Sequence, residues 1–268
     1  MWAHSQAMNT YSKTLIALLQ LVAFAAISTT ASAVAIDDWA ISTGSTASDL
    51  STASPVIGDG TEGSALNTLI ASTTNSQTLT NVGDNISVTG SVTFDGLSGS
   101  SLAHSFRWSL MNTNGSTNVN GWLGYVGQNS SGTSPGDLFE RDNPNTASWW
   151  TTNSATKLGS AVDASSALLT DGTYSLSISV ELTATNEVTI VWSLVGSGYS
   201  MVGTVVDSSP QTLTFDVIGV GSAGLTADQI SLSDMDITYT SVPEASTLWY
   251  LVPLLATPFL WRRYRARR

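Results

Sequence analysis

The chain has 268 residues, of which 11% are charged, and its formal net charge at pH 7 is −11. It contains no cysteine, which excludes a disulfide framework, a thiolate metal site and a cysteine nucleophile. Hydrophobic residues make up 42% of the chain, so a hydrophobic core is expected and general disorder is not.

Residues 1–33 have the composition of a secretory signal peptide. Lys13 precedes a thirteen-residue apolar run at positions 15–27, which is too short for a transmembrane helix. Small residues follow, and Ala31-Ser32-Ala33 and Ala33-Val34-Ala35 both match the A-x-A pattern of signal-peptidase sites. We therefore expect signal peptidase to act at one of these sites and residues 34–241 to be exported as one domain.

This central segment shows the period-two alternation of half-buried antiparallel strands. The alternation is clearest in ISVTGSVTF (86–94), SFRWSLM (105–111), TYSLSISVEL (173–182), EVTIVWSL (187–194) and TLTFDVI (212–218). Turn pairs such as Asp95-Gly96 and Asp171-Gly172 separate the strands. Residues 173–206 are predicted to form a meander of three strands, and the domain is predicted to be all-β.

The last strand, ISLSDMDITY, changes phase. Ile230 and Leu232 share one parity, whereas Met235, Ile237 and Tyr239 share the other. A regular strand would turn one of these two sets to solvent. We therefore predict a β-bulge near Ser233-Asp234, where one extra residue restores the facing.

The strand pattern predicts a two-sheet antiparallel jelly-roll sandwich, with an immunoglobulin-like sandwich as the alternative. The order of SFRWSLMNTNG, GWLGYVGQN, the paired strands through Trp192 and the closing ISLSDMDITY resembles concanavalin-like lectins and glucanases over residues 36–240. The resemblance implies that the first and last strands meet in one sheet.

The C-terminal segment, residues 242–268, has three parts. The motif region 242–246 begins with Val242-Pro243-Glu244, and an uncharged stretch at 247–261 follows that is predicted to be a short transmembrane helix. By the positive-inside rule, the arginines of the last seven residues are expected to stay in the cytoplasm and to stop translocation. They are Arg262, Arg263, Arg265, Arg267 and Arg268.

This order of motif, helix and arginine cluster resembles the PEP-CTERM sorting signal, although Ala245 stands where that family commonly has a second proline. The resemblance implies recognition by an exosortase in a Gram-negative bacterium that produces exopolysaccharide. It implies a precursor held in the inner membrane with the domain outside, and a mature form at the cell surface or in the extracellular matrix. The alternative is a plain single-pass membrane anchor.

The catalytic candidates are weak. Residues 34–241 contain one histidine, His104, which precedes a strand in a polar loop and is interpreted as an ordinary surface histidine. Glu140 and Asp142 are carboxylates two residues apart, but the E-x-D-x-x-E string characteristic of the resembling glucanases is absent. We interpret the two carboxylates as a solvated charge cluster around Arg141, and we expect a non-catalytic protein. A secreted glycan-active hydrolase is the alternative.

Two ligand hypotheses remain. An aromatic platform for carbohydrate would use Trp122, Tyr125, Trp149 and Trp150. No cofactor is predicted beyond a candidate calcium site that forms if the end strands pair and bring together Asp37, Asp38, Asp234 and Asp236. Residues 34–241 hold nineteen acidic and three basic residues, a net charge of −16, which excludes nucleic acid as a partner.

Overall fold

The domain is built from β-strands in a computed structural model that describes residues 30–243, except positions 45, 62–64, 99–104, 118, 130–134, 143–154 and 162–167. Ala31–Thr240 forms one compact unit. The strands of the described part are β1 (Thr30–Ala35), β2 (Ala40–Thr43), β3 (Ala47–Ser48), β4 (Val56–Gly58), β5 (Ala65–Leu66), β6 (Leu69–Thr78), β7 (Asn85–Asp95), β8 (Phe106–Asn112), β9 (Leu123–Gln128), β10 (Asp137–Arg141), β11 (Thr156–Ser160), β12 (Gly172–Ala184), β13 (Glu187–Gly196), β14 (Tyr199–Asp207), β15 (Thr214–Ser222), β16 (Leu225–Thr226) and β17 (Gln229–Ser241).

The strands form two antiparallel sheets, as expected for a jelly-roll sandwich. The eight-stranded sheet has the order β14-β13-β12-β7-β17-β4-β3, with β1 also paired to β17. The seven-stranded sheet has the order β11-β10-β9-β8-β15-β6-β2, and β5 and β16 form a separate pair. A single 3-10 turn, Val119–Gly121, joins β8 to β9 within the described part. The predicted all-β sandwich is confirmed.

The core lies between the inner faces of the two sheets. Its largest side chains include Trp108 from the seven-stranded sheet and Trp192 from the eight-stranded sheet, both 0–1% exposed. The indole N–H of Trp108 donates to the carbonyl of Ser177 across the core at 2.8 Å. Each such buried side chain contributes roughly 1.5–3 kcal/mol to stability, so the alternating apolar positions are what hold the sheets together.

The predicted meander is confirmed as β12-β13-β14. Gly196 pairs with Tyr199 across a two-residue turn in which Ser197 and Gly198 both have positive φ, 46° and 77°. Positive φ at both central residues defines the type I′ turn, which matches the right-handed twist of the flanking strands.

The predicted bulge in β17 is also confirmed. Pairing with β7 shifts register between Ser233 and Asp236, and Asp234 adopts a left-handed φ of 52°. The bulge lets apolar residues before and after the register shift face the core. The buried residues are Ile230, Leu232, Met235 and Ile237.

The prediction that every strand exposes one face is wrong for part of the seven-stranded sheet. Strands β8, β9 and β10 are buried along both faces. The outward-facing positions include a second apolar cluster of Leu69, Ala71, Met111, Trp122, Val126 and Val217. Because this outer face is also shielded from solvent, Arg107 and Arg141 are buried at positions where alternation alone predicted exposure.

The two ends of the domain meet, as the resemblance implied. Strand β1 pairs with β17 in the eight-stranded sheet, and the N–H of Ile36 donates to the carbonyl of Met235 at 2.8 Å. The side chains at positions 31–35 are all exposed, so β1 is held by its main chain rather than by the core.

Parts of the sequence predictions lie outside the described residues. These are most of the signal peptide, His104, Trp149, Trp150, Glu244, the segment at 247–261 and the five C-terminal arginines. Within the part that the structure describes, no helix is long and apolar enough to cross a membrane. The boundaries 1–33, 34–241 and 242–268 stay predictions.

Candidate functional site

A cleft of about 550 Å³ opens between the edges of the two sheets. One wall is formed by β1 and the residues that follow it, and the opposite wall by β6. The volume falls in the range of small-ligand sites, about 300–1,000 Å³. The side chains that line it are mainly hydroxyls, amides and carboxylates, among them Ser32, Asp37, Asp38, Thr73, Thr74, Asn75, Gln77 and Tyr239.

Strand β6 supplies the cleft because its character changes halfway along. Its first four residues are buried, whereas most of the positions from Thr73 onward are exposed. Pairing with β2 involves only Leu69, Ile70 and Ala71 on β6. The polar half of β6 pairs with β15 on its other side and extends beyond the end of β2. The hydroxyl oxygen of Thr74 is buried and has no hydrogen-bond partner within the described structure.

Tyr239 closes the floor of the cleft from β17. Its hydroxyl donates to the carbonyl of Thr78 at 3.2 Å and lies 3.4 Å from a carboxylate oxygen of Asp84. Burial, and next the negative charge of Asp84, raise the pKa of Tyr239. The phenol therefore stays neutral and fixed in orientation, with part of its ring facing the cleft.

The four predicted calcium ligands are only partly brought together. Asp37 and Asp38 line the cleft, whereas Asp234 and Asp236 do not. No group of three or more acidic, histidine or cysteine side chains close enough for a metal ion occurs among the residues the structure describes. Pairing of the end strands thus places two of the aspartates on the cleft wall without assembling all four into one ligand set.

The predicted aromatic platform is not formed by the two of its residues that can be described. Trp122 is 5% exposed and Tyr125 is fully buried. The indole N–H of Trp122 donates to the carbonyl of Ser116 at 3.1 Å. The Tyr125 hydroxyl donates to a carboxylate oxygen of Asp207 at 2.9 Å. Both rings are structural here, because neither offers a face to a sugar.

The interpretation of Glu140 as part of a solvated charge cluster is wrong. Its side chain is 5% exposed and hydrogen-bonds Asp207, also 5% exposed, between the edges of the two sheets. The N–H of Gln211 donates to Glu140 at 2.7 Å. Burial raises the pKa of Glu140 from its ordinary value of 4.5 to about 7, with further increases from Asp207 and Asp142. Glu140 therefore holds the proton that this carboxyl pair requires.

The neighbours of Glu140 are divided between solvent and the interior. Asp142 is exposed and accepts a hydrogen bond from the Thr156 hydroxyl at 2.6 Å. Arg141 is 1% exposed and donates to the carbonyl of Asn120 at 2.8 Å. Burial lowers the pKa of Arg141 to about 10, so it stays charged near neutral pH. These contacts join loops to strands and lie outside the lining of the cleft between β1 and β6.

All three basic residues of segment 34–241 lie on the seven-stranded sheet. Arg107 pairs with Gln128 on β9, and burial lowers its pKa to about 10. Lys157 on β11 forms an ion pair with Asp137 at 2.7 Å. None of the three lines the cleft, which is therefore an acidic and neutral site.

The C-terminal motif is described only at its start. Val242 and Pro243 follow β17 without regular secondary structure. The rest of the sorting segment lies outside the described residues, and its role stays a prediction.

No protein-family model and no curated protein matches the sequence. Solved structures that the chain is similar to include a lectin from Bauhinia forficata in complex with GalNAc (9% identity, TM-score 0.47, 80% of this chain and 99% of that chain covered). An endo-1,3-beta-glucanase from Streptomyces sioyaensis shows 10% identity and a TM-score of 0.44, with 81% and 97% covered. The exoplasmic/lumenal domain of VIP36 shows 11% identity and a TM-score of 0.45, with 77% and 84% covered. The sandwich fold follows from the strand pairing itself.

Proposed function

We propose that this chain is an exported, non-catalytic surface or matrix protein whose β-sandwich binds a neutral glycan in the cleft between β1 and β6. The observation that carries the proposal is the set of hydroxyl, amide and carboxylate side chains along that cleft. Hydroxyl and amide groups donate to and accept from sugar hydroxyls, whereas carboxylates accept from them. The absence of lysine and arginine from the described lining disfavours an acidic glycan.

Two residues on opposite walls are expected to contribute most. Asp38 is an exposed carboxylate on one wall, and Asn75 is an exposed amide on the other. Hydrogen bonds to a charged acceptor are worth about 1.5–3 kcal/mol, so loss of the Asp38 carboxylate is expected to weaken binding by about tenfold or more.

Affinity electrophoresis tests the proposal. The exported protein is run through gels that contain a neutral or an acidic polysaccharide, and retardation reports binding. We expect retardation by a neutral polysaccharide that is reduced in Asp38→Asn and in Asn75→Ala. Ser76→Ala is the matched control, because Ser76 is exposed on the same strand but does not line the cleft. Equal retardation of all four proteins would contradict the site.

Hydrolysis is the competing outcome. Asp37 and Asp38 are adjacent carboxylates on the cleft wall, and hydrolysis would require two carboxyl groups about 5–9.5 Å apart that flank the scissile bond. Release of new reducing ends from the polysaccharide, lost in Asp38→Asn, would support a glycan-active hydrolase instead.

Sorting is the other half of the proposal and rests on the two ends of the sequence. Intact mass of the protein recovered from the cell envelope and the culture supernatant tests it. Loss of the segment that follows Val242-Pro243-Glu244 would support exosortase processing. A mature chain that still ends at Arg268 would support a plain membrane anchor.

A further inference from the structure

The two predicted signal-peptidase sites lie within β1, which forms part of one wall of the cleft. Cleavage after Ala33 starts the mature chain at Val34, and cleavage after Ala35 starts it at Ile36. The sequence leaves these two starts open, because both follow an A-x-A pattern. Their consequences for the folded domain are different.

A start at Ile36 conflicts with the folded domain. The Ile36 side chain is 3% exposed and belongs to the main core, and its nitrogen donates to the carbonyl of Met235 at 2.8 Å. Cleavage after Ala35 would convert this amide nitrogen into a charged ammonium group at the edge of the core. Charge in such a position is costly because it loses its hydration. The same cut would remove all of β1 and leave its part of the β17 edge unpaired.

A start at Val34 fits the fold. The Val34 side chain is 54% exposed, so the new ammonium group lies at an accessible strand end and keeps its hydration. The amide bond before Ile36 stays intact, and Val34 and Ala35 keep their places in the cleft wall. The exposed carboxylates of Asp37 and Asp38 follow closely in the chain, and their charge favours a cation at this end of the cleft.

We propose that the mature chain begins at Val34, and that Val34 and Ala35 are the retained part of β1 on which the glycan cleft depends. Ser32, which lines the cleft in the uncut chain, leaves with the signal peptide. The dependence of binding on these two residues rests on the proposed function, whereas the position of the mature start does not.

N-terminal sequencing and intact mass of the exported protein test the start directly. We expect a mature chain that begins at Val34. A chain that begins at Ile36, or one that keeps residues before Val34, overturns the proposal.

Two variants separate the sites. Ala35→Phe removes the small residue before the second site, and we expect it to be cut after Ala33 like the wild type. Ala31→Phe removes a small residue that only the first site uses. We expect Ala31→Phe either to yield no folded exported protein or to yield one that begins at Ile36, with a lower melting temperature and weaker retardation by the polysaccharide.

An Ala31→Phe protein that begins at Ile36 and retains the wild-type melting temperature and retardation would overturn the inference while leaving the proposed function intact. If no form binds any polysaccharide, the proposed function fails. The mature start and the melting temperatures would still decide the inference about Val34.

Discussion

At the residue scale, the carboxyl pair of Glu140 and Asp207 links β10 of one sheet to β14 of the other. Because the pKa of Glu140 is raised to about 7 in the folded protein, the folded state holds one more proton than the unfolded state between about pH 4.5 and pH 7. This group is therefore expected to make the free energy of unfolding fall as pH rises through that window.

Glu140→Gln is expected to remove this part of the pH dependence, since glutamine keeps a donor toward Asp207 and cannot ionise. The free energy of unfolding of the variant minus that of the wild type should therefore increase between pH 4.5 and pH 8, by up to about 3 kcal/mol. Denaturant unfolding at both pH values measures the difference. Glu181→Gln is the matched control, because Glu181 is exposed on β12 and does not act on Glu140. Parallel pH profiles for wild type and Glu140→Gln would refute the role of the pair.

At the element scale, the bulge in β17 decides which side chains face the core. Asp234 occupies the left-handed region with a φ of 52°, a conformation that glycine adopts freely and β-branched residues disfavour. Asp234→Gly is expected to leave stability nearly unchanged, whereas Asp234→Val should cost about 1–2 kcal/mol. Denaturant unfolding of both variants is the measurement, and equal stabilities would contradict the left-handed assignment.

The bulge is also packed against a glycine on the neighbouring strand. A Cβ at Gly90 of β7 would overlap the sulfur of Met235 and approach its Cα to 3.1 Å. Gly90→Ala should therefore destabilise the domain by about 1–3 kcal/mol, and Met235→Ala should relieve part of that cost. A double-mutant cycle measures the coupling, and additive effects would show that Gly90 and Met235 do not interact.

The elements that local pattern specifies were predictable from the sequence. The meander of residues 173–206 and the bulge at Ser233-Asp234 follow from alternation, turn residues and a change of phase. The double burial of β8 was not predictable, because alternation marks Arg107 and Ser109 as solvent positions and only the assembled sheet shows that their face is covered. The cleft was missed for a similar reason. The residues TTNSQT of β6 have no apolar alternation, and their position opposite β1 depends on the topology. The sequence did indicate that Asp37 and Asp38 approach β17.

At the scale of the whole molecule, segment 34–241 carries a net charge of −16 from nineteen acidic and three basic residues. Self-repulsion of this size opposes the compact state. An increase in monovalent salt from about 0.01 M to about 0.1 M shortens the Debye length from about 30 Å to about 10 Å. The melting temperature is therefore expected to rise across this range in thermal unfolding monitored by circular dichroism. A constant or falling melting temperature would show that repulsion does not limit stability.

Binding of a neutral glycan in the cleft between β1 and β6 is tested most directly by hydrogen–deuterium exchange with and without the retarding polysaccharide. We expect slower exchange on binding in peptides that cover residues 34–38 and 72–78, with little change elsewhere. Slower exchange in residues 105–128 of the seven-stranded sheet, or no change in any peptide of a protein that is retarded, would contradict the assignment of the cleft.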